Sequence, residues 1–325
     1  MPLLAGSDAR ACVLLGALLG FAGAASADDT EMIVGGKRAP DGKYPWQVRL
    51  YDLPADMKGF CGGALIGEQW VLTAAHCVVG LAKPGDPIAP IGRVYVGYGS
   101  TDRAETTKVE SEKIVLHPDF VARGVKSGAD VALIKLAAPV SGDNAKPVEI
   151  ADPASEERLL TRGAKVTVTG WGAIWDPDDK EILELLSKVT TSPQEISDRL
   201  NYPHKLHEVE IHVMDHAECR SAFQASQLDV ADTEICAMKP SSVANACYGD
   251  SGGPLMVLAK EPKRYVQVGV VSWGDRCGRV GNPNVYARVS AFHDWIEATM
   301  SADTPVAAHP SEPSEPAAAS TRSPE

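Results

Sequence analysis

Three short segments carry residue types that together can open an amide bond. In Cys247-Tyr248-Gly249-Asp250-Ser251-Gly252-Gly253-Pro254, a serine stands among small residues directly after an acid. In Leu72-Thr73-Ala74-Ala75-His76-Cys77, a histidine follows an apolar run, and the two alanines before it leave its ring room to turn into a cleft. In Gly128-Ala129-Asp130-Val131-Ala132-Leu133-Ile134-Lys135-Leu136, an aspartate precedes a strand-like run whose Val131, Leu133, Ile134 and Leu136 bury its surroundings. A hydroxyl attacks a carbonyl usefully only when a base takes its proton, a third group holds that base in one tautomer, and donors wait for the oxyanion. Ser251, His76 and Asp130 supply the first three parts by type, and the backbone N–H groups of Gly249 and Ser251 are candidates for the fourth. Taken singly, each has a plainer reading: a structural histidine beside a cysteine, an aspartate cap, a glycine-rich loop. Only the set is specific.

Such a set needs a scaffold, and the chain is built of short, punctuated, strand-like pieces. Examples are WQVRLYDL, WVLTAAHCVV, RVYVGYGS, DVALIKL, KVTVTGWG, YVQVGVVSWG and NVYARVS, several of them alternating apolar and polar residues as half-buried strands do. This is the habit of antiparallel barrels or a sandwich, not of βαβ units, which need long amphipathic helices between strands. Two stretches have helical spacing: Asp179 to Val189, and Ala291 to Met300 with Phe292, Trp295, Ile296 and Thr299 along one face. No internal repeat is evident.

The balance of 31 basic against 43 acidic residues gives a net charge of −12, with no basic stripe, which excludes nucleic acid as an expected partner. The first residues hold one cation, Arg10, then an apolar run from Ala11 to Ala25 and the small-residue pattern Ala25-Ser26-Ala27. That run is short of the roughly 20 residues needed to span a bilayer. It reads as a signal segment over 1–27, implying export to a periplasm or the cell exterior and no stable membrane insertion. Residues 301–325, rich in Pro, Ser, Ala and Glu, cannot bury a core and read as a disordered tail. Of seven cysteines, Cys12 leaves with the signal and six remain, an even number that implies disulfides in an exported chain. No Cys-x-x-Cys pair or Cys/His set at zinc-ligand spacing occurs, so neither metal nor cofactor is expected. The spacing alone does not fix the pairing.

With these residues in the order His76, Asp130, Ser251, the sequence resembles the chymotrypsin/trypsin family of serine endopeptidases from Ile33 to Met300. The resemblance implies an all-β fold of two antiparallel six-stranded barrels with a C-terminal helix. It implies His76 as general base, Asp130 as its orienting partner, Ser251 as nucleophile, and Gly249 and Ser251 amides as the oxyanion hole. Ile33-Val34-Gly35-Gly36 resembles the family's activation start: cleavage after a short propeptide, 28–32, frees an ammonium at Ile33 that pairs with Asp250. The residue before that cut is Met32, so a trypsin-like activator is not implied. By the same resemblance the disulfides are Cys61–Cys77, Cys219–Cys236 and Cys247–Cys277. A common fourth bridge is replaced by Val166 and Val257.

The resemblance also draws the substrate pocket, with Asn245 at its floor and Ala246, Ser272, Trp273, Gly274 and Asn284 on its walls. Trypsins place an aspartate at the floor; an amide there offers a substrate cation no counter-charge, and burying that cation costs several kcal/mol, on the order of 3–5. Arg or Lys is therefore not the expected preference, and a medium uncharged side chain meeting the Asn245 and Asn284 amides is. Two orientations of Asn284 stay open, one narrowing the pocket and one pointing away. The stretch 175–206 is longer than most family members have there, and reads equally as a screen beside the cleft or a tolerated surface insertion. His117, His204, His207, His212, His216 and His293 read as structural or surface residues. The expected partners are protein or peptide substrates and an activating protease, and the expected state is a monomer. The rival is a protease-like binding protein that keeps the barrels without catalysis. An esterase of the α/β-hydrolase type fails on the motif and on the order of its acid and histidine.

Overall fold

The computed structural model describes residues 35–80, 88–173, 203–224 and 226–303, together with Lys180 and Glu184. The signal, the propeptide, Ile33, the tail beyond 303 and nearly all of the expected helix at 179–189 lie outside the described residues. After a two-residue strand β1 (Lys37–Arg38), the first half of the chain forms β2 (Gln47–Tyr51), β3 (Cys61–Gly67), β4 (Trp70–Thr73), β5 (Tyr95–Tyr98), β6 (Thr107–Leu116) and β7 (Ala132–Leu136). Strands β2 to β7 close a barrel in the order β2, β3, β4, β7, β6, β5. After a short β8 (Glu149–Ile150), the second half supplies β9 (Lys165–Gly170), β10 (His207–Val213), β11 (Glu234–Met238), β12 (Pro254–Lys260), β13 (Lys263–Gly274) and β14 (Asn284–Arg288). The second barrel runs β9, β10, β11, β14, β13, β12, and closes because β9 pairs with both β10 and β12. The short strands β1 and β8 add to β10 and β13.

The alternation of each strand explains how the halves join. In β2, Val48 and Leu50 enter the first barrel's core, while Gln47, Arg49 and Tyr51 leave by the other face. That second face is buried too: Thr169 Oγ1 of β9 donates to Gln47 Oε1 at 2.5 Å, and Arg49 reaches Gly249. Sequence alternation predicts one wet face; the second barrel covers it at Gln47 and Arg49, and Arg103 and Thr106 of the first half bond to Tyr51. Leu72, Leu133 and Ile134, all fully buried where β4 pairs with β7, each contribute ~1.5–3 kcal/mol and so fix the strands whose ends carry His76 and Asp130.

Helices α1 (Pro118–Arg123), α2 (Pro153–Leu159) and α3 (His216–Gln224) are short additions. The expected C-terminal helix forms as α4 (Val289–Ala302), starting as soon as β14 ends. Its Phe292 and Ile296 pack into the first barrel's core, so this helix reaches back across the molecule. The His117 ring packs against Phe292 and Trp295, with centroids 5.0 and 4.9 Å away, a structural place as expected. The disulfides are Cys61–Cys77, Cys219–Cys236 and Cys247–Cys277. Val166 and Val257 are both buried in the second barrel's core.

Candidate active site

Strand register brings the chemistry together. Thr73 pairs with Ala132 in the antiparallel β4–β7 ladder, so the residues after Thr73 and those before Ala132 emerge at one end. That places His76, in the single turn Ala75–Cys77, next to Asp130. In the same way Pro254 pairs with Val270, so Ser251, just before β12, and Ser272, late in β13, emerge together. The two ends meet across the seam: Gly62 N–H donates to the Ser251 carbonyl at 2.7 Å, and Gly252 lies against Thr73 and the Ala74 amide. At φ +79°, and with a Cβ there running into Thr73 Oγ1, position 252 accepts only glycine.

Asp130 is 1% exposed and takes three hydrogen bonds. His76 Nδ1 faces Oδ2 at 2.7 Å, the His76 backbone N–H donates to Oδ1 at 2.8 Å, and Ser272 Oγ donates to Oδ2 at 2.6 Å. Burial works against its charge, but the His76 charge and these donors outweigh it, so the carboxyl stays below the usual range. For His76, burial opposes the imidazolium, and the Asp130 charge and hydrogen bond overcome that, holding its proton above the ordinary histidine range. The imidazole's remaining nitrogen, Nε2, stands 3.7 Å from Cys77 Sγ. Cys61, His76 and Cys77 thus form a cluster, but the two sulfurs are joined in a disulfide and offer no thiolate to a metal.

Asp250, 1% exposed, accepts from Gly172 N–H at 2.7 Å and Cys247 N–H at 3.0 Å. Burial nevertheless pushes its carboxyl up to about 6, with those donors and the Arg49 charge only partly offsetting it. Beside Ser251 a cavity of about 180 Å³ is lined by Ala246, Ser272, Trp273, Gly274, Asn284 and their neighbours. Trp273 is held by its indole N–H, which donates to the buried Glu234 at 2.8 Å. Asn284 Nδ2 donates to Ala246 O at 2.9 Å, tying one wall to another across the cavity. The Asn245 Nδ2 donates to Asn282 O and its Oδ1 accepts from Ala246 N–H, both at 3.0 Å, so backbone takes one donor and one acceptor position of its amide.

Two contributions go beyond what the sequence reveals. Ser272 is expected on the pocket wall, but its bond to Asp130 depends on a cross-barrel distance that no spacing discloses. Arg49 is visible as a charge inside an apolar strand, but its partners are not.

The trypsin family model matches residues 33–296. The chain belongs to the trypsin family. It is a serine-type endopeptidase with the fold of that family. Mouse tryptase is 36% identical over 274 residues, 82% of this chain and 88% of that protein. Human serine protease 56 is 34% identical over 274 residues, covering 84% of this chain but only 39% of that longer protein. Among solved structures, neuropsin, described as a serine protease expressed in the limbic system of mouse brain, superposes with a TM-score of 0.61 at 26% identity. The match covers 82% of this chain and 98% of that one.

Proposed function

We propose that this trypsin-family endopeptidase is an exported zymogen whose acyl-enzyme chemistry is carried by Ser251, His76 and Asp130. The observation that carries the reading is the buried Asp130 carboxylate gripping His76 by both ring and backbone, beside the cavity that Ser251 borders. Ser251 Oγ attacks the substrate carbonyl as its proton passes to His76 Nε2, and the new charge on the oxygen is received by the Gly249 and Ser251 N–H groups. His76 then returns the proton to the leaving amine, and water repeats the sequence to release the acid. Asp130 keeps Nδ1 as the donor and stabilises the imidazolium without taking the proton. Cleavage before Ile33 supplies an ammonium to pair with the buried Asp250, whose carboxyl the Gly172 and Cys247 N–H groups and the Arg49 charge only partly satisfy, ordering the Gly249–Ser251 turn.

The primary preference follows from the cavity. Its carboxylate, Asp275, is exposed beside Arg276, while the buried polar lining residues Ser272 and Asn284 are neutral. A cation would be desolvated there without a partner, so a medium uncharged side chain is the better occupant. The similarity to tryptase and to the serine proteases named above supports peptide-bond hydrolysis.

The test is intact mass after a fluorophosphonate probe, on the full chain and on protein cut before Ile33, with Ser251→Ala alongside. One adduct that needs both Ser251 and the free Ile33 terminus supports the reading. No adduct on correctly cut protein returns the chain to a protease-like binding protein.

A further inference from the structure

Arg49 carries a charge at 0% exposure, an arrangement that proteins keep only where the guanidinium is well bonded. Its side chain leaves β2 on the face turned toward the second barrel. Nη1 donates to the Gly249 carbonyl at 2.6 Å, Nη2 to the Gly59 carbonyl at 3.1 Å, and Nε to the Lys58 carbonyl at 3.2 Å. Gly59 makes room for it: at φ +63°, a Cβ there would come within 2.7 Å of both Arg49 Cγ and Nε. The loop that bears Gly59 is itself braced, since Lys58 O also accepts from Arg103 Nη1 at 2.9 Å and Asp56 Oδ1 accepts from Lys58 N–H at 2.8 Å.

The carbonyl that Arg49 grips lies in the peptide joining Gly249 to Asp250. The peptides on either side of that one carry the two N–H groups assigned to the oxyanion. Gly249 sits at φ +89°, a conformation with no side chain to hinder rotation, so something else must hold its planes. From one side, Gly172 and Cys247 hold the Asp250 carboxylate within the second barrel. From the other, Arg49 holds the carbonyl from the first.

We propose that Arg49 is a positioning residue for catalysis, clamping the Gly249 carbonyl so that the Gly249 and Ser251 N–H groups stay aimed at the developing oxyanion. It rests on the reading of Ser251 as nucleophile. Arginine suits the task because its planar fork binds three carbonyls from two segments at once, which the single nitrogen of lysine cannot do. The cost of a misaligned donor is felt when the carbonyl oxygen becomes charged, not when substrate first binds, so the effect falls on kcat.

The experiment uses activated full-length protein with its active sites counted by fluorophosphonate, comparing wild type with Arg49→Met, Arg49→Gln and Arg49→Lys. Expected for Arg49→Met is a loss of about 10–100-fold in kcat per active site, short of removing a donor outright. Affinity for a peptide boronic acid, which forms a tetrahedral adduct on the nucleophile, should fall by a similar factor, with KM changed by no more than about twofold. Arg49→Lys should recover part of both. If Arg49→Met does not fold, Arg49→Gln and Arg49→Lys carry the comparison. A variant with lowered melting temperature but kcat and boronate affinity within about twofold of wild type overturns the proposal, leaving Arg49 a structural brace. A wild type that takes up no probe overturns the nucleophile reading and this one together, whereas a labelled wild type with an unaffected Arg49→Met sinks the clamp alone.

Discussion

Replacing Asn245 by aspartate probes how the cavity beside Ser251 is built. Asn245 is 4% exposed, donating to Asn282 O and accepting from Ala246 N–H, each at 3.0 Å. Aspartate keeps the acceptor and loses the donor, so a carboxylate oxygen would face the Asn282 carbonyl at hydrogen-bond distance. Losing a buried bond costs about 1–3 kcal/mol. An uncompensated buried charge brings the total to about 3–5 kcal/mol. The carboxyl relieves itself by holding a proton, so its folded pKa is raised; stability is kept at acid pH and lost as pH rises through that raised value. The assay is urea unfolding of Asn245→Asp against its parent, both in a Ser251→Ala background to prevent self-digestion, at acid and at neutral pH. A penalty of about 3–5 kcal/mol near neutrality that shrinks in acid is expected. In the active protein, the same change should not make Arg or Lys the preferred residue, because the new carboxylate is turned toward Asn282. Stability within about 1 kcal/mol of the parent at both pH values, with Arg or Lys reporters becoming the best substrates, would refute the argument.

Three further expectations concern the charged groups. Because His76 holds its proton above the ordinary histidine value, the acid limb of kcat/KM should fall at a pH higher than about 6.5; a limb at or below that value would contradict the Asp130 contribution. Ser272→Ala removes a donor to Asp130, leaving more of the carboxylate's charge to His76. The acid limb should then move up by about half to one unit while kcat falls, and an unmoved limb would reduce Ser272 to a packing role. Asp250, raised to about 6 from 3.8, destabilises the uncut chain as pH rises from about 4 through 6, and about two units amount to about 3 kcal/mol. Cutting before Ile33 should remove that loss, so the melting temperatures of cut and uncut protein should diverge between about pH 4 and 6 and keep that gap above it, and curves that stay together through this range would argue against the Ile33 pairing.

The alternation in WQVRLYDL, DVALIKL and KVTVTGWG makes the strands legible in the sequence, and the order of His76, Asp130 and Ser251 makes the chemistry legible there too. What a linear chain does not display is register and reach. Nothing local says that Thr73 pairs with Ala132, the pairing that sets His76 beside Asp130. Nor does it say that the Asn245 amide bonds to Asn282 O and to Ala246 N–H. Helices α1 to α3 span 6 to 9 residues, too few turns for periodicity to speak. For α2 a usable signal exists: Asp152 caps with Ser155 in a reciprocal box, and Pro153 opens the first turn. Arg49 is the clearest such clue, a charge in the middle of a barrel strand that has to be going somewhere.

The seam between the barrels has a consequence for how the molecule would fail, and for how it could be used. Ser251 belongs to one half and His76 to the other, and the bonds described across the seam run from Gly62 to Ser251, from Thr169 to Gln47, from Arg49 to Gly249 and from Ser272 to Asp130. With Ser251 and His76 in the proposed roles, a small slip there would disarm the enzyme while every strand is still paired, so activity is expected to be lost on heating before the strands unfold, as a thermal fuse. The linking segment around Gly142 and Asp143 is exposed, a place where the chain could be broken into two pieces. Neither piece would be armed alone, and proteolysis regained on mixing would serve as a readout of their reassociation.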